Sequence, residues 1–286
     1  MLDPRWNTFL VVCETMNYTR AAEQLCLTQP AVTHHIHYLE EHYGGRLLSY
    51  EGKVLRLTEA RVKLREYTRS LSYNSQRAEE VMVAPAPLSL RIGASKTIGE
   101  FVIAPKVGQF LREYPGASFS LIVDHTQMLL RALEAGRLDF ALLEVFFDRS
   151  RYETTLYRKE PFWGICAPDH RFAGRAVTVE ELDAERILIR EPGSGTRTIF
   201  EDTLRCHNRT LRSFPNLATI SDFSTIKSLV ADGLGVSFLY APAVSKELAS
   251  GTLARFELAE TPMSGAFYFG CRKDNLFAAD WVNWMR

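Results

Sequence analysis

Two segments of this 286-residue chain gather hydroxyls, glycines and charge within a few positions. The first is Gly93-Ala94-Ser95-Lys96-Thr97-Ile98-Gly99-Glu100, and the second is Arg190-Glu191-Pro192-Gly193-Ser194-Gly195-Thr196-Arg197. Each follows a short apolar run that reads as a strand and precedes a helical pattern. Hydroxyls, unpaired amides and the positive end of a helix then come together, a setting that favours an anion. Ligands of open α/β sheets bind beyond the carboxyl ends of strands, so the two segments predict a cleft lined by Ser95, Thr97, Ser194 and Thr196. Helix capping is the other use of Ser or Thr at such junctions, and the residues leave both uses open. Glu144 and Asp222 are likewise open between cleft-facing and solvated carboxylates. Lys96, Arg190 and Arg197 are cations suited to an acidic ligand, with surface exposure favoured for each.

A third segment carries different chemistry. Thr28 is a good N-cap, and Gln29 and Pro30 fill a first turn where proline costs little. Val32, Ile36, Leu39 and Tyr43 then form one apolar stripe, leaving Gln29, Pro30, Thr33, His34 and His37 on the other side. Glutamine pairs bidentately with adenine, and threonine contacts base edges or the thymine methyl. The run His34-His35-x-His37 spreads around a helix, with no carboxylate or cysteine at ligand spacing, so no metal is expected. Catalytic signatures are also missing. Gly193-Ser194-Gly195-Thr196 lacks the lysine of a phosphate-cradling loop, no serine sits in a G-x-S-x-G frame, and no cysteine has a nucleophile's setting. Neither an enzyme nor a cofactor is expected.

The elements that must position these residues follow from periodicity and punctuation. Trp6, Phe9, Leu10, Cys13 and Met16 mark a first helix; Arg20–Leu25, with Ala21, Ala22 and Leu25 inward, marks a second, its alanines small enough for close helix crossing. Gly44-Gly45 ends the third. Leu47-Leu48 and Val54–Leu57 flank a turn at Glu51-Gly52-Lys53, a small wing. A longer helix without Gly or Pro runs from about 59 to 84 and stops at Pro85-Ala86-Pro87. Its Leu64, Tyr67, Leu71, Ala78 and Val81 lie near a heptad seam interrupted by Asn74, a pattern of helix pairing or of packing on its own chain. Beyond it, strands and helices alternate. Strands are expected at Leu88–Gly93, Phe119–Val123, Leu138–Leu143, Ile187–Ile189, Leu217–Ile220 and Gly235–Leu239. Helices are expected at Glu100–Tyr114, Gln127–Ala135, Thr196–His207 and Phe223–Asp232. Alternation of this kind implies βαβ units and an α/β fold.

The bulk numbers agree. Apolar residues at 46% and charged residues at 24% describe ordinary globular protein, and a formal net charge of +0 confines any DNA-binding surface to a local patch. Cys13, Cys26, Cys166, Cys206 and Cys271 are scattered without C-x-x-C and read as buried thiols in a reducing compartment. No secretion signal and no apolar run of about 18 residues is present, so a soluble cytoplasmic protein is expected, without a membrane partner.

The sequence Ala21-Ala22-x-x-Leu25-x-x-Thr28-Gln29-Pro30-Ala31-Val32-Thr33, followed by Ile36, Leu39-Glu40 and Leu57-Thr58-Glu59-Ala60, resembles the LysR-type transcriptional regulators. The match is dense over about the first 60 residues and architectural thereafter. It departs at Leu48-Ser49-Tyr50, where the family has a basic residue, and at Arg61, where it has glycine. The resemblance implies an α/β fold with an all-α winged helix-turn-helix N-terminal domain and a two-lobed, periplasmic-binding-protein-like C-terminal domain. It implies a DNA-binding domain over 1–58, a dimerising linker helix and hinge over 59–87, and an effector-binding domain over 88–286. Lobe one would take 88–162 and 268–286, and lobe two 163–267, with crossovers at Phe162-Trp163-Gly164-Ile165 and Ala266-Phe267-Tyr268-Phe269. DNA contacts are expected from Arg20, Thr28, Gln29, Pro30, Thr33, His34 and His37, with Lys53 and Arg56 reaching phosphate. Effector contacts are expected from Ser95, Lys96, Thr97, Thr126, Glu144, Glu191, Ser194, Thr196, Ser221 and Phe223. The last two belong to the Ser221-Asp222-Phe223 and Gly233-Leu234-Gly235-Val236 pattern of the second lobe. The implied partners are double-stranded promoter DNA, a small-molecule effector with anions among the candidates, and further copies of the chain as dimer or tetramer.

Overall fold

A computed structural model describes residues 3–51, 54–57, 59–82, 89–144, 147–259, 262–273 and 275. The chain forms two compact units, one largely within residues 3–82 and one largely within residues 89–273. Lys53, the tip of the expected wing and the Pro85-Ala86-Pro87 break lie outside the described residues.

The first unit comprises α1 (Pro4–Thr15), α2 (Tyr18–Leu25), α3 (Gln29–His42), β1 (Leu48–Glu51), β2 (Val54–Leu57) and α4 (Glu59–Met82). Local chemistry sets the helix ends. Asp3 accepts from the Arg5 amide at the start of α1, and Asn17 accepts from the Thr19 and Arg20 amides at the start of α2. Met16 and Cys26 close these helices in the left-handed conformation, which turns the chain sharply. Phe9, Val12, Ala21, Ala22, Val32, Ile36, Leu39, Leu47 and Leu55 form one buried cluster. The two alanines let α2 lie close to its neighbours. Glu40 Oε1 accepts from the Leu47 amide at 2.8 Å and ties the end of α3 to the hairpin. β1 and β2 pair antiparallel from Leu48 opposite Leu57 to Glu51 opposite Val54.

Two expectations change here. Tyr43 ends the α3 stripe exposed, because it caps the helix and leans on Trp6 at the rim. Cys26 and Cys206 are exposed, sitting at a helix-ending turn and at the last residue of a helix, while the other three cysteines are buried. In α4, Thr68 and Tyr73 are buried, whereas Tyr67 and Leu71 stand 69% and 55% exposed.

The second unit contains β3 (Ser89–Ala94), α5 (Lys96–Phe101), α6 (Ala104–Glu113), β4 (Ser118–Val123), α7 (Thr126–Glu134), β5 (Phe140–Glu144), β6 (Tyr152–Cys166), β7 (Ala176–Val177) and β8 (Ile187–Ile189). It continues with α8 (Gly195–Cys206), β9 (Leu217–Thr219), α9 (Phe223–Ala231), β10 (Ser237–Tyr240), α10 (Ala241–Ser250), β11 (Ala254–Leu258) and β12 (Ser264–Arg272). β3 pairs parallel with both β4 and β5, and β12 inserts antiparallel between β5 and β6. The long strand β6 pairs with β12 along Tyr152–Pro161, then with β10 along Phe162–Ile165 and with β11 along Gly164–Cys166. One continuous strand thus leaves one set of partners and enters another. β8 and β9 form a separate parallel pair, bridged to the rest through Ile187 and Val236. The second unit is therefore a two-lobed α/β structure strung on β6 and β12.

In place of the one helix expected over Glu100–Tyr114 there are two, α5 and α6. Pro105 has no amide hydrogen to donate to the carbonyl four residues back, so the chain breaks at Val102-Ile103 and restarts with proline in its first turn. The strand expected from Leu138 begins at Phe140. The Asp139 carboxylate instead accepts from the Arg91 amide at 2.7 Å and pairs with its guanidinium at 3.1 Å, pinning the start of β5 to β3.

Candidate functional site

In the first unit the polar face of α3 is built from the helix's own first turn. Thr28 Oγ1 accepts from the Ala31 amide, Pro30 needs no partner for a missing amide hydrogen, and Val32, Ile36 and Leu39 are buried beneath. Arg20, Thr28, Gln29, Pro30, His34 and His37 are exposed, and Thr33 is half-buried. Gln29 Nε2 donates to Thr33 Oγ1 at 2.9 Å, so two side chains with base-reading capacity hold each other on one helix face. His37 faces Glu40 at 3.3 Å, and His35 turns inward to Thr8 at 2.9 Å. Arg56 lies in β2 opposite Ser49. Among the described residues, no group of three or more His, Cys, Asp or Glu side chains is arranged to hold a metal.

In the second unit the two hydroxyl segments meet. A small cleft is lined by Ser95, Lys96 and Thr97 at the start of α5, by Asp124, His125 and Thr126 at the start of α7, by Glu144 at the end of β5, and by Gly193, Ser194 and Gly195 at the start of α8. Three helix N-termini converge because each follows a strand of the parallel βαβ arrangement or its counterpart in the other lobe. Ser95 and Ser194 hold N-cap positions, yet neither side chain caps its helix. Ser95 Oγ donates instead to Glu144 Oε1 at 3.0 Å, and Thr97 Oγ1 lies 3.5 Å from Thr196 Oγ1 across the lobes. For Ser95 and Ser194 the structure thus decides against capping.

Four of the ten expected effector residues stand off the cleft lining. Thr196 is buried behind it against Thr97. Glu191 lies at the rim, 3.5 Å from Lys96 Nζ and 3.3 Å from His125 Nε2. Ser221 is exposed elsewhere. Phe223 is buried beneath the Arg190 guanidinium, which stacks 3.7 Å above its ring. Asp222 caps α9 through the Thr225 amide, and hydrogen bonds from Ser224 and Thr225 hold its carboxyl down at about 2.

The charges correct the expectation of surface exposure. Arg190 is only 1% exposed and donates from Nε and Nη2 to the two oxygens of Glu191, at 2.8 and 3.0 Å. Lys96 and Arg197 are partly covered, and Arg197 pairs with Glu201. Burial acts to raise the Glu191 carboxyl, but hydrogen bonds and charge from Arg190, with Lys96, hold it below the usual range. Glu144 goes the other way. Burial pushes its carboxyl up, outweighing hydrogen bonds from Thr97 and Ser95 and the charge of Arg190. Asp124, His125 and the burial of Arg190 were not legible in the sequence, since the approach of α7 to the second lobe is a tertiary event. The strand-end position of Asp124-His125, matching that of Ser95, was the available signal.

A pH prediction follows from Glu144. An acid whose folded pKa is raised is best tolerated protonated, so its favourable contribution is complete below the unfolded value and is lost as pH climbs through the folded value. Glu144→Gln is therefore expected to melt at the wild-type temperature near about pH 4, and several degrees higher near about pH 8. Thermal melts by circular dichroism at the two pH values check this; equal melting at both would show that Glu144 ionises at no cost.

Comparisons with known proteins place both units in one family. Residues 5–60 match the bacterial regulatory helix-turn-helix protein family of lysR type, and residues 87–286 match the LysR substrate binding domain. The chain is 30% identical over 270 residues to the RuBisCO operon transcriptional regulator of Allochromatium vinosum, covering 93% of this chain and 88% of that one. It is 28% identical to the HTH-type transcriptional regulator CysL of Bacillus subtilis over 84% of this chain and 81% of the other. Among solved structures, a full-length OxyR variant from Pseudomonas aeruginosa superposes with a TM-score of 0.70 at 21% identity, covering 100% of this chain and 93% of that one, a likeness of fold. Two domain matches along most of the chain, together with a relative of this identity and coverage, establish that the chain belongs to the LysR family of DNA-binding transcriptional regulators.

Proposed function

We propose that this regulator recognises a promoter through the N-terminal face of α3, and that a small-molecule effector in the Ser95–Ser194 cleft modulates the binding. On this reading residues 1–58 bind DNA, 59–87 link and dimerise, and 88–286 sense the effector, with lobe one at 88–162 and 268–286 and lobe two at 163–267. Arg20, Thr28, Gln29, Pro30, Thr33, His34 and His37 meet the duplex, and Lys53 and Arg56 meet phosphate. The observation that carries the reading is the exposed Gln29–Thr33 pair above a buried Val32-Ile36-Leu39 stripe, in the helix that such modules place in a major groove. The exposed Tyr67 and Leu71 on α4 support a dimer or tetramer built through that helix. No step of chemistry is assigned to the chain, and its place is the cytoplasm, with the DNA. Among the described residues no helix is long and apolar enough to cross a membrane.

The test is a mobility shift with a fragment from the gene's own upstream region. A retarded complex that survives random competitor at moderate salt is expected; no preference over random duplex rejects the reading. For the cleft, a thermal-shift screen of small anions and carboxylates supplies a stabilising compound. Thr97→Ala is expected to lose both that stabilisation and the change in footprint the compound causes, while ligand-free DNA affinity stays within about twofold of wild type, a few tenths of a kcal/mol. A normal response in the variant would remove Thr97 from the effector contacts.

A further inference from the structure

The helix assigned to the duplex carries no permanent cation. α3 has two carboxylates, Glu40 and Glu41, and neither lysine nor arginine, but it holds four of the chain's seven histidines. Against the phosphates that wall a groove, its positive charge therefore depends on imidazole, which titrates between about pH 5 and 8. Two of the four rings are engaged within the unit. His35 Nδ1 lies 2.9 Å from Thr8 Oγ1, and His42 stacks on Tyr38 and meets Tyr43 edge-on. His34 and His37 are exposed, on the side of the helix that carries Gln29 and Thr33. Glu40 sets the tautomer of His37. Its Oε1 accepts from the Leu47 amide at 2.8 Å, which anchors the carboxylate to the hairpin, and its Oε2 lies 3.3 Å from His37 Nδ1. A carboxylate there favours the proton on Nδ1. The neutral ring then offers a lone pair at Nε2, which repels a phosphate oxygen, whereas the imidazolium offers an N–H.

We propose that His34 and His37 hold DNA phosphate as imidazolium ions, so that the chain takes up protons from solvent on binding a duplex and binds it more tightly as pH falls. The proposal rests on α3 being the DNA-binding face. A phosphate beside an imidazole favours its charged form, so each ring holds its proton more firmly in the complex than in the free chain. By linkage the added affinity is present at low pH and is lost as pH rises through the value in the complex. The elements packed against α3 bring other charged and titratable groups. On α1, Arg5 pairs with Asp3 and lies over Tyr38, Glu14 pairs with Arg69, and burial pushes the Cys13 thiol up to about 12. Tyr18, Arg20 and Glu23 lie on α2, and Cys26 and Arg46 stand in the turns on either side of α3. Arginine, carboxylate and phenol side chains ordinarily titrate outside the imidazole range, which leaves the charge change to the histidines.

Fluorescence anisotropy of the full-length chain with the upstream fragment and with random duplex, at constant ionic strength between about pH 6 and about pH 8, reads the linkage. In wild type the Kd is expected to rise with pH on both DNAs, toward about tenfold per unit for each ring that must gain a proton. The slope of log Kd against log salt should be steeper at the acid end, by up to about two. His34→Gln with His37→Gln is expected to keep both DNAs near the weak, alkaline-end affinity at every pH. His34→Arg with His37→Arg is expected to hold the tight, acid-end affinity throughout, a rescue that a misfolded variant cannot show. A flat wild-type profile, a slope retained in the glutamine variant, an arginine variant that still weakens as pH rises, or a profile confined to the upstream fragment overturns the proposal. Preference for the upstream fragment over random duplex tests promoter recognition separately. Proton-linked binding to both DNAs without that preference supports the histidines and rejects promoter recognition. Preference with a flat profile rejects the histidine role alone.

Discussion

Arg190→Met is expected to lower the unfolding free energy of the regulatory unit by about 3–5 kcal/mol, the usual cost of breaking a buried ion pair from one side. The guanidinium is almost wholly buried, lies flat on Phe223 and grips both oxygens of Glu191. Methionine fills part of the space over the ring but leaves Glu191 to Lys96 and His125 alone, in a partly desolvated position. Arg190→Lys restores the charge without the planar fork or the stacking, so it should recover only part of the loss. Arg190→Met with Glu191→Gln removes both charges, and its cost should fall well short of the sum of the single changes. Urea unfolding at neutral pH measures wild type, the two Arg190 variants, Glu191→Gln and the double variant. A loss below about 1 kcal/mol for Arg190→Met would place the pair among weak surface bridges and refute the account.

Gln29→Ala with Thr33→Ala is expected to weaken binding to the upstream fragment by about 1–3 kcal/mol for each base no longer read, roughly five- to 150-fold apiece. Affinity for random duplex should stay near its wild-type value, because phosphate contacts carry no sequence information. The single changes should not add. Thr33 Oγ1 holds the Gln29 amide in place, so Thr33→Ala also frees the glutamine side chain. Gln29 is exposed and Thr33 half-buried, the Thr28 cap remains, and the Val32-Ile36-Leu39 stripe is untouched, so the melting temperature should barely move. Anisotropy competition between the upstream fragment and random duplex at one fixed salt concentration decides the matter. Equal losses on both DNAs would mean that this face contributes only backbone affinity.

Much of the first unit was legible because its determinants are local. Caps at Asn17 and Thr28, the paired alanines and the α3 stripe act within a few residues, and those spacings survive folding. Tyr43 escaped the pattern because a helix end is solvated whatever its period. In the second unit the strand and helix order was legible, and so was the pairing of the Ser95 and Ser194 segments, since both are strand ends. The break at Pro105 was also visible in principle, but the apolar period across it masked the missing donor.

Sequence by itself determined the family, the α/β order, the polar face of α3 and the meeting of two hydroxyl-rich turns, all of which rest on short-range spacing and residue type. Tertiary structure alone decided which charges are buried. Ser95 and Glu144 are 49 positions apart, and Thr97 and Thr196 are 99 apart. Arg190 loses its water only when α9 places Phe223 beneath it, and Glu144 only when Gly195 closes over its free oxygen. Desolvation depends on what the rest of the chain brings near a side chain, and spacing along the sequence does not encode it.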